Sequence, residues 1–199
     1  MERVEEHQAL KILIAVFADT YSNCVIADKP DIQAKDGSLG VEVTIATNKD
    51  KMKAIQALHT NALNYIGDKR KICSNDRLRD IISSAGGELC ESHGVPICKT
   101  NQPSIEETQE IILNRIEDKQ NNKLCNYRGF PHKQLFVYGN TDCLCTILYV
   151  PMLNKILATY RERYLGNNHF DKIFVTARCV RQPEVLRTWV PTDHHCAVL

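Results

Sequence analysis

The chain has 199 residues, 43% of them hydrophobic and 25% charged, a balance that excludes an intrinsically disordered protein. Its 25 Lys and Arg against 24 Asp and Glu leave a net charge of +1, so bulk attraction to nucleic acid or anionic lipid is not built in, and such binding needs a local patch. The length predicts a single domain over 1–199, large enough to bury about 70% of its unfolded surface without a metal or disulfide.

Residues 2–20 read as one amphipathic helix. Val4, Ala9, Leu10, Leu13, Ile14 and Phe17 recur at helical spacing, and Glu2, Glu5 and Glu6 lie in the first turn, where the macrodipole favours them. Acids ahead of an apolar run that contains Lys11 do not fit a signal peptide, and no run approaches the ~18–20 apolar residues of a membrane span. The chain is therefore expected to be cytoplasmic, with no membrane partner. Short strands are predicted over 24–27 and 31–35, separated by Asp28-Lys29-Pro30. Asp36-Gly37 signals a hairpin into a third strand over 39–46, where Val41, Val43 and Ile45 alternate with Glu42 and Thr44.

A helix over about 48–66 follows, with Met52, Ile55, Leu58, Leu63 and Ile66 on its apolar face. Residues 67–102 read as an irregular insertion. It contains the basic run Lys69-Arg70-Lys71 and one short helix over 77–84, capped by Asn75 or Asp76 and stopped by Gly86-Gly87. Ser104 with Glu107 forms a capping box that opens a helix to about Asn122, with Ile105, Ile111, Ile112 and Ile116 inward. Gln134–Tyr138 is a buried strand by its apolar run. Residues 143–150 fit a strand or a helix, and Pro151 suits the first turn of a helix to Tyr164. Strands over 172–177 and 185–190 close the series. The order of elements predicts an α/β (α+β) fold with a central mixed sheet flanked by helices.

Nine cysteines, an odd count without an export signal, read as reduced thiols. Cys90, His93 and Cys98 form a loose zinc triple that needs a fourth ligand, with Cys73 the candidate; Cys143-x-Cys145 has a spacing that suits packing as well as metal. The ending Cys196-Ala-Val-Leu199 has the form of a prenylation box, preceded by His194 and His195 rather than by a polybasic segment. His132 and His169 have no partner spacing, and Trp189 reads as a core residue.

The informative segment is Pro30-Asp31 … Gly40-Val41-Glu42-Val43-Thr44. Asp31 and Glu42 lie eleven positions apart on two strands joined by a hairpin, so their carboxylates can converge at one end of the sheet. Paired carboxylates with a nearby carbonyl make the oxygen-rich site that Mg²⁺ takes. This segment resembles the PD-(D/E)xK nuclease superfamily, the restriction-endonuclease-like fold. There a Pro-Asp on one strand is followed, after a hairpin, by an acid, one residue and a lysine. The likeness covers roughly residues 1–66, and Thr44 stands where the motif has its lysine.

The resemblance implies a restriction-endonuclease-like sandwich and metal-dependent hydrolysis of DNA or RNA, with Mg²⁺ or Mn²⁺ held by Asp31, Glu42 and the Val43 carbonyl. An acid of the opening helix, Glu6 or alternatively Glu5, would support the metal. Superfamily variants carry the basic residue on a later helix. The segment also resembles a looser pattern in which such a helix is Lys-rich and leads to a Tyr, here Lys119, Lys123 and Tyr127. Lys119 and Lys123, spaced i, i+4, share a face and are candidates for the catalytic cation; Lys51 and Lys53 are nearer in sequence. Lys69, Arg70 and Lys71, with Arg77 and Arg79, are candidate contacts to a phosphate backbone. Thr44 is the feature that favours the alternative, a non-catalytic nucleic-acid-binding or protein-interaction module that keeps the nuclease-like fold. Both readings are compatible with a homodimer.

Overall fold

Strand β3 (Leu39–Ile45) carries Glu42, and the elements around it explain how the acids are placed. The computed structural model describes residues 4–47, 49–64, 69–100, 104–127, 129–139, 146–164, 169–177, 185–189 and 197–198. The chain divides into two compact units, Met1–Ala46 with Ser104–Leu199, and Thr47–Pro103.

The first unit opens with helix α1 (Val4–Val16) and a short helix α2 (Ala18–Tyr21). The single helix expected over 2–20 is broken at Phe17, whose φ of −135° is not helical. The break lets Phe17 and Tyr21 both pack on Phe174, with ring centroids 5.9 and 6.1 Å away. Strands β1 (Cys24–Ile26), β2 (Ile32–Ala34) and β3 (Leu39–Ile45) follow as antiparallel neighbours. Gly37 supplies a φ of +73° in the turn between β2 and β3. With β4 (Gly87–Ser92) and β5 (Val95–Thr100) assigned to the second unit, the first unit's sheet continues with β6 (His132–Tyr138), β7 (Lys172–Ala177), β8 (Val185–Trp189) and β9 (Ala197–Val198). The seven strands run in the order β1-β2-β3-β6-β7-β8-β9, with β3, β6 and β7 parallel and the outer pairs antiparallel, so the mixed sheet expected from the sequence is present.

Both faces of the sheet are covered. On one face Val41, Val43, Phe136, Tyr138 and Phe174 pack with Ala9 and Leu13 of α1 and with Tyr21. On the other, Leu135, Val137, Ile173 and Val175 pack with Ile112, Leu113 and Ile116 of α5 (Ile105–Asn122) and with Leu153, Ile156, Leu157 and Tyr160 of α6 (Thr146–Tyr164). Strand β3 is therefore buried on both sides, which is the setting of near-continuous apolar runs. Glu42 and Thr44 break that run and are nevertheless 5% exposed each.

The α5 N-terminus is as the sequence predicts: Ser104 accepts from the Glu107 N–H at 3.1 Å, and Glu107 accepts from the Ser104 N–H at 2.7 Å. Ile105, expected inward, is 37% exposed, because it sits in the first turn outside the packed arc. Residues 146–150 are helical, and Pro151 lies at the sixth position of α6 rather than in its first turn.

The second unit holds α3 (Lys49–Asn64), a 3₁₀ helix Lys69–Ser74, α4 (Asp76–Ser84) and the β4–β5 hairpin. Asn75 is the cap of α4, accepting from the Leu78 N–H at 3.1 Å. The stretch expected to be irregular contains a regular antiparallel ladder from Gly87↔Thr100 to Ser92↔Val95. Its two-residue turn, His93-Gly94, has φ of +52° and +79°, the signs of a type I′ turn that matches strand twist. The buried arc of α3 also differs from expectation. Met52 and Ile55 are 45% and 42% exposed, while Ala54, Ala57, Leu58 and Ala62 join Ile72, Leu78, Ile82 and Leu89 in this unit's core. Leu63's side chain and Ile66 lie outside the described residues.

Candidate active site

The β2–β3 hairpin brings the two acids together. Its register pairs Ile32 with Val41. Continued by one residue, it sets Asp31 across from Glu42, and directly opposed residues in an antiparallel pair share a face. Gly40 makes this approach possible: a Cβ there would lie 2.4 Å from Cγ of the buried Pro30 and 3.2 Å from the Phe130 ring. Asp31 Oδ2 accepts from the Val43 N–H at 2.8 Å, which ties the acid to the strand that carries Glu42. Burial pushes the Asp31 carboxyl up to about 6; the Val43 N–H opposes this, the charges of Glu42 and then Glu6 add to it, and Lys119 opposes it. The charges of Glu42 and Glu6 thus both act on Asp31, with Glu6 buried on α1.

Glu42 is held from α5 and from the 3₁₀ turn that follows it, Leu124–Tyr127. Lys119 Nζ donates to Glu42 Oε1 at 2.5 Å, across 77 residues of sequence, with side-chain exposures of 11% and 7%. The Tyr127 hydroxyl donates to Glu42 Oε2. Burial, then the hydrogen bond to Glu42, raises the Tyr127 hydroxyl far above its ordinary range, so it stays protonated and a donor. Both oxygens of Glu42 are therefore engaged.

One rung further along β3, Arg115 Nε donates to Thr44 Oγ1 at 2.6 Å, and Arg115 Nη1 pairs with Asp118 Oδ2 at 2.9 Å. Sequence reasoning missed Arg115 and gave Tyr127 no role. The available signal was the match of two polar rows: Glu42 and Thr44 at i, i+2 on a strand, and Lys119 and Arg115 at i, i−4 on a helix.

The other candidates have these surroundings. Lys123 is the exposed C-cap of α5, its N–H bonded to the Lys119 carbonyl, so the helix ends before it can extend the row. Glu5 is exposed; its main-chain carbonyl accepts from Tyr138 OH at 2.8 Å. Lys51 and Lys53 belong to the second unit, as do the exposed Lys69, Lys71 and Arg77. Arg70's side chain lies outside the described residues. Arg79 donates to the Cys73 carbonyl at 2.8 Å and pairs with Asp76.

The hairpin register breaks up the zinc triple. It pairs Leu89 with Cys98 and Cys90 with Ile97, so Cys90 and Cys98 point to opposite faces. His93 Nδ1 is hydrogen-bonded to Ser92 Oγ at 3.1 Å, and the Cys73 thiol donates to the Cys90 carbonyl at 3.3 Å. His132 and Asp171 approach to 3.8 Å at the exposed start of β6, away from the acids' network. Cys143, Cys145, His194, His195, Cys196 and the Trp189 side chain lie outside the described residues. Among the described residues, no helix is long and apolar enough to cross a membrane.

No family model, curated protein or solved structure matches the chain. The site has to be read from its own chemistry. Among the described residues, no three His, Cys, Asp or Glu side chains form a ready ligand set for a metal ion. Asp31 and Glu42 fit a hard cation of another kind, one bound by one or two carboxylates with main-chain and water oxygens making up the rest of its shell. Burial is the main cause of the raised Asp31 carboxyl, and the Glu42 and Glu6 charges that add to it are the part a cation would relieve.

Proposed function

We propose that the first unit is a metal-dependent phosphodiesterase acting on DNA or RNA, a divergent relative of the PD-(D/E)xK nucleases. The observation that carries this reading is the Lys119–Glu42 pair: a buried helix lysine brought onto the strand acid, two residues from the position where the motif's own lysine is replaced by Thr44. Asp31 and Glu42, with the Val43 carbonyl, would hold Mg²⁺ or Mn²⁺, and Glu6 would add to the negative field. When bound, such an ion lowers the pKa of a water molecule and offsets charge building on the phosphate. Lys119 orients the attacking water and stabilises the phosphate oxygens. Tyr127 and the Val43 N–H fix the rotamers of Glu42 and Asp31, so the acids need not reorganise on binding. Hydrolysis joins the water oxygen to phosphorus and breaks the ester P–O bond, the leaving oxygen taking up a proton.

The test is cleavage of labelled single- and double-stranded DNA and RNA in Mg²⁺, Mn²⁺ and EDTA. Cleavage that needs the metal and disappears in Asp31→Asn and Glu42→Gln is the expected result. Cleavage unchanged in the double variant refutes the site. One observation favours a second reading, a binding module without catalysis: Lys119 and Tyr127 already satisfy both oxygens of Glu42. Nucleic-acid binding with no Mn²⁺ affinity by calorimetry would select it.

A further inference from the structure

We propose that Arg115 is a backbone-phosphate contact of this site, held by Thr44 so that its guanidinium grips a nonbridging phosphate oxygen beside the one that Lys119 serves. The proposal rests on the nucleic-acid reading above and extends it to a residue that the motif does not contain.

The placement follows from two matched spacings. Residues two apart on a strand are separated by about 6.6 Å and residues four apart on a helix by about 6 Å. Glu42 and Thr44 on β3 therefore meet Lys119 and Arg115 on α5 as two successive rungs, with N···O distances of 2.5 and 2.6 Å. The rungs differ in exposure. Lys119 is 11% exposed and spends its charge on Glu42, whereas Arg115 is 32% exposed and makes its bond to a neutral hydroxyl. Its pairing with Asp118 uses one N–H of Nη1. Among the described residues, with Nε on Thr44 and one N–H of Nη1 on Asp118, the two N–H groups of Nη2 remain to donate to a phosphate oxygen. An apolar pair at 44 and 115 would cover the adjoining core as well and would leave no buried hydroxyl to satisfy. Thr44, uncharged where the motif has lysine, instead receives a cation from the helix and sets the plane of its guanidinium.

The experiment uses the full chain and fluorescein-labelled single-stranded and duplex oligonucleotides. Anisotropy is measured across a KCl titration, with cleavage in Mn²⁺ and thermal melting followed in parallel. Arg115→Met is expected to lower affinity about tenfold, the loss of one charge-assisted hydrogen bond. It also lowers the magnitude of the log–log salt slope by about 0.9 on duplex or 0.7 on single strand, one phosphate contact. Arg115→Lys keeps the slope and loses affinity, because the charge remains and the fork does not. Thr44→Val keeps the slope and loses about threefold, the cost of a mis-set guanidinium. If Arg115→Met melts early, the other two variants decide the matter. Wild-type affinity in both, or a wild-type slope in Arg115→Met, overturns the proposal. If the native chain binds but does not cleave, the hydrolytic reading fails and the slope still decides Arg115. If Arg115→Met cleaves and binds as the native chain does, the hydrolytic reading stands and this proposal falls. A native chain that binds neither oligonucleotide ends both.

Discussion

Replacing Asp31 by asparagine should stabilise the metal-free protein while removing the proposed metal site, and the pH dependence of that gain is fixed in advance. Burial and the neighbouring charges of Glu42 and Glu6 move the Asp31 carboxyl from 3.8 to about 6. The raised value means the fold prefers the protonated acid. The penalty on the charged form is absent below pH 3.8, grows between 3.8 and 6, and is complete above 6. At about 1.4 kcal/mol per unit, the shift corresponds to about 3 kcal/mol for a fully buried group. Asp31 is only half-buried, and solvent screening reduces this to about 1 kcal/mol. Asparagine keeps an oxygen for the Val43 N–H and carries no charge. Urea unfolding in EDTA should show Asp31→Asn about 1 kcal/mol more stable than the native chain at pH 8 and equal to it near pH 4. Adding Mg²⁺ at about 100 times its dissociation constant should raise the native chain by about 2.7 kcal/mol and leave the variant almost unmoved. An asparagine variant that is less stable at pH 8, or a gain that does not fade as the pH falls, would refute the argument that the fold prefers Asp31 protonated.

Two further outcomes follow from the same geometry. Lys119→Met leaves Glu42 charged in a nearly dry setting with only Tyr127 as a donor, and should cost about 3–5 kcal/mol in urea unfolding. Adding Glu42→Leu should recover most of that loss, whereas two additive losses would show that the pair is not coupled. Gly40→Ala puts a methyl 2.4 Å from Pro30 Cγ. Relief by displacing Pro30 moves Asp31 with it, so a stability loss of about 1–3 kcal/mol should come with a larger loss of Mn²⁺ affinity by calorimetry. Native metal affinity in a folded Gly40→Ala protein would count against the role of Gly40 in seating Asp31.

Local chemistry was legible in the sequence; long-range matching was legible only in part. Asp36-Gly37 and the alternation through Ile45 define the β2–β3 hairpin, and Ser104 with Glu107 defines the start of α5, because turns and caps are decided within a few residues. The β4–β5 hairpin was hidden by its chemistry. His93 rather than Asn or Asp takes the first left-handed position of the turn, and Pro96 lies within a strand, tolerated because a two-stranded ladder has only edges. The buried arc of α3 differs from the one its periodicity predicts because periodicity marks a stripe without saying which neighbour covers it. Alanines at 54, 57 and 62 make the close contacts instead of Met52 and Ile55. Lys119 was a candidate only through the family resemblance, and Lys123 stood equal to it until the helix end separated them. Arg115 had no local signal, since its partner lies 71 residues away.

The energetics of β3 argue that its polar residues are kept for more than stability. Its neighbours at the same level are Leu135 and Val137, paired with Glu42 and Thr44. A buried ion pair replaced by apolar residues of similar volume is often neutral or stabilising, so a leucine-like strand would hold this sheet together at least as well. The charges instead act on one another. Burial first, and then the charges of Glu42 and Glu6, raise the Asp31 carboxyl against the Val43 N–H and Lys119. A divalent cation held by Asp31 and Glu42, as proposed above, would take the place of the proton that the raised carboxyl favours, so metal and proton would compete for Asp31. Apparent Mg²⁺ affinity should therefore fall as the pH drops below about 6.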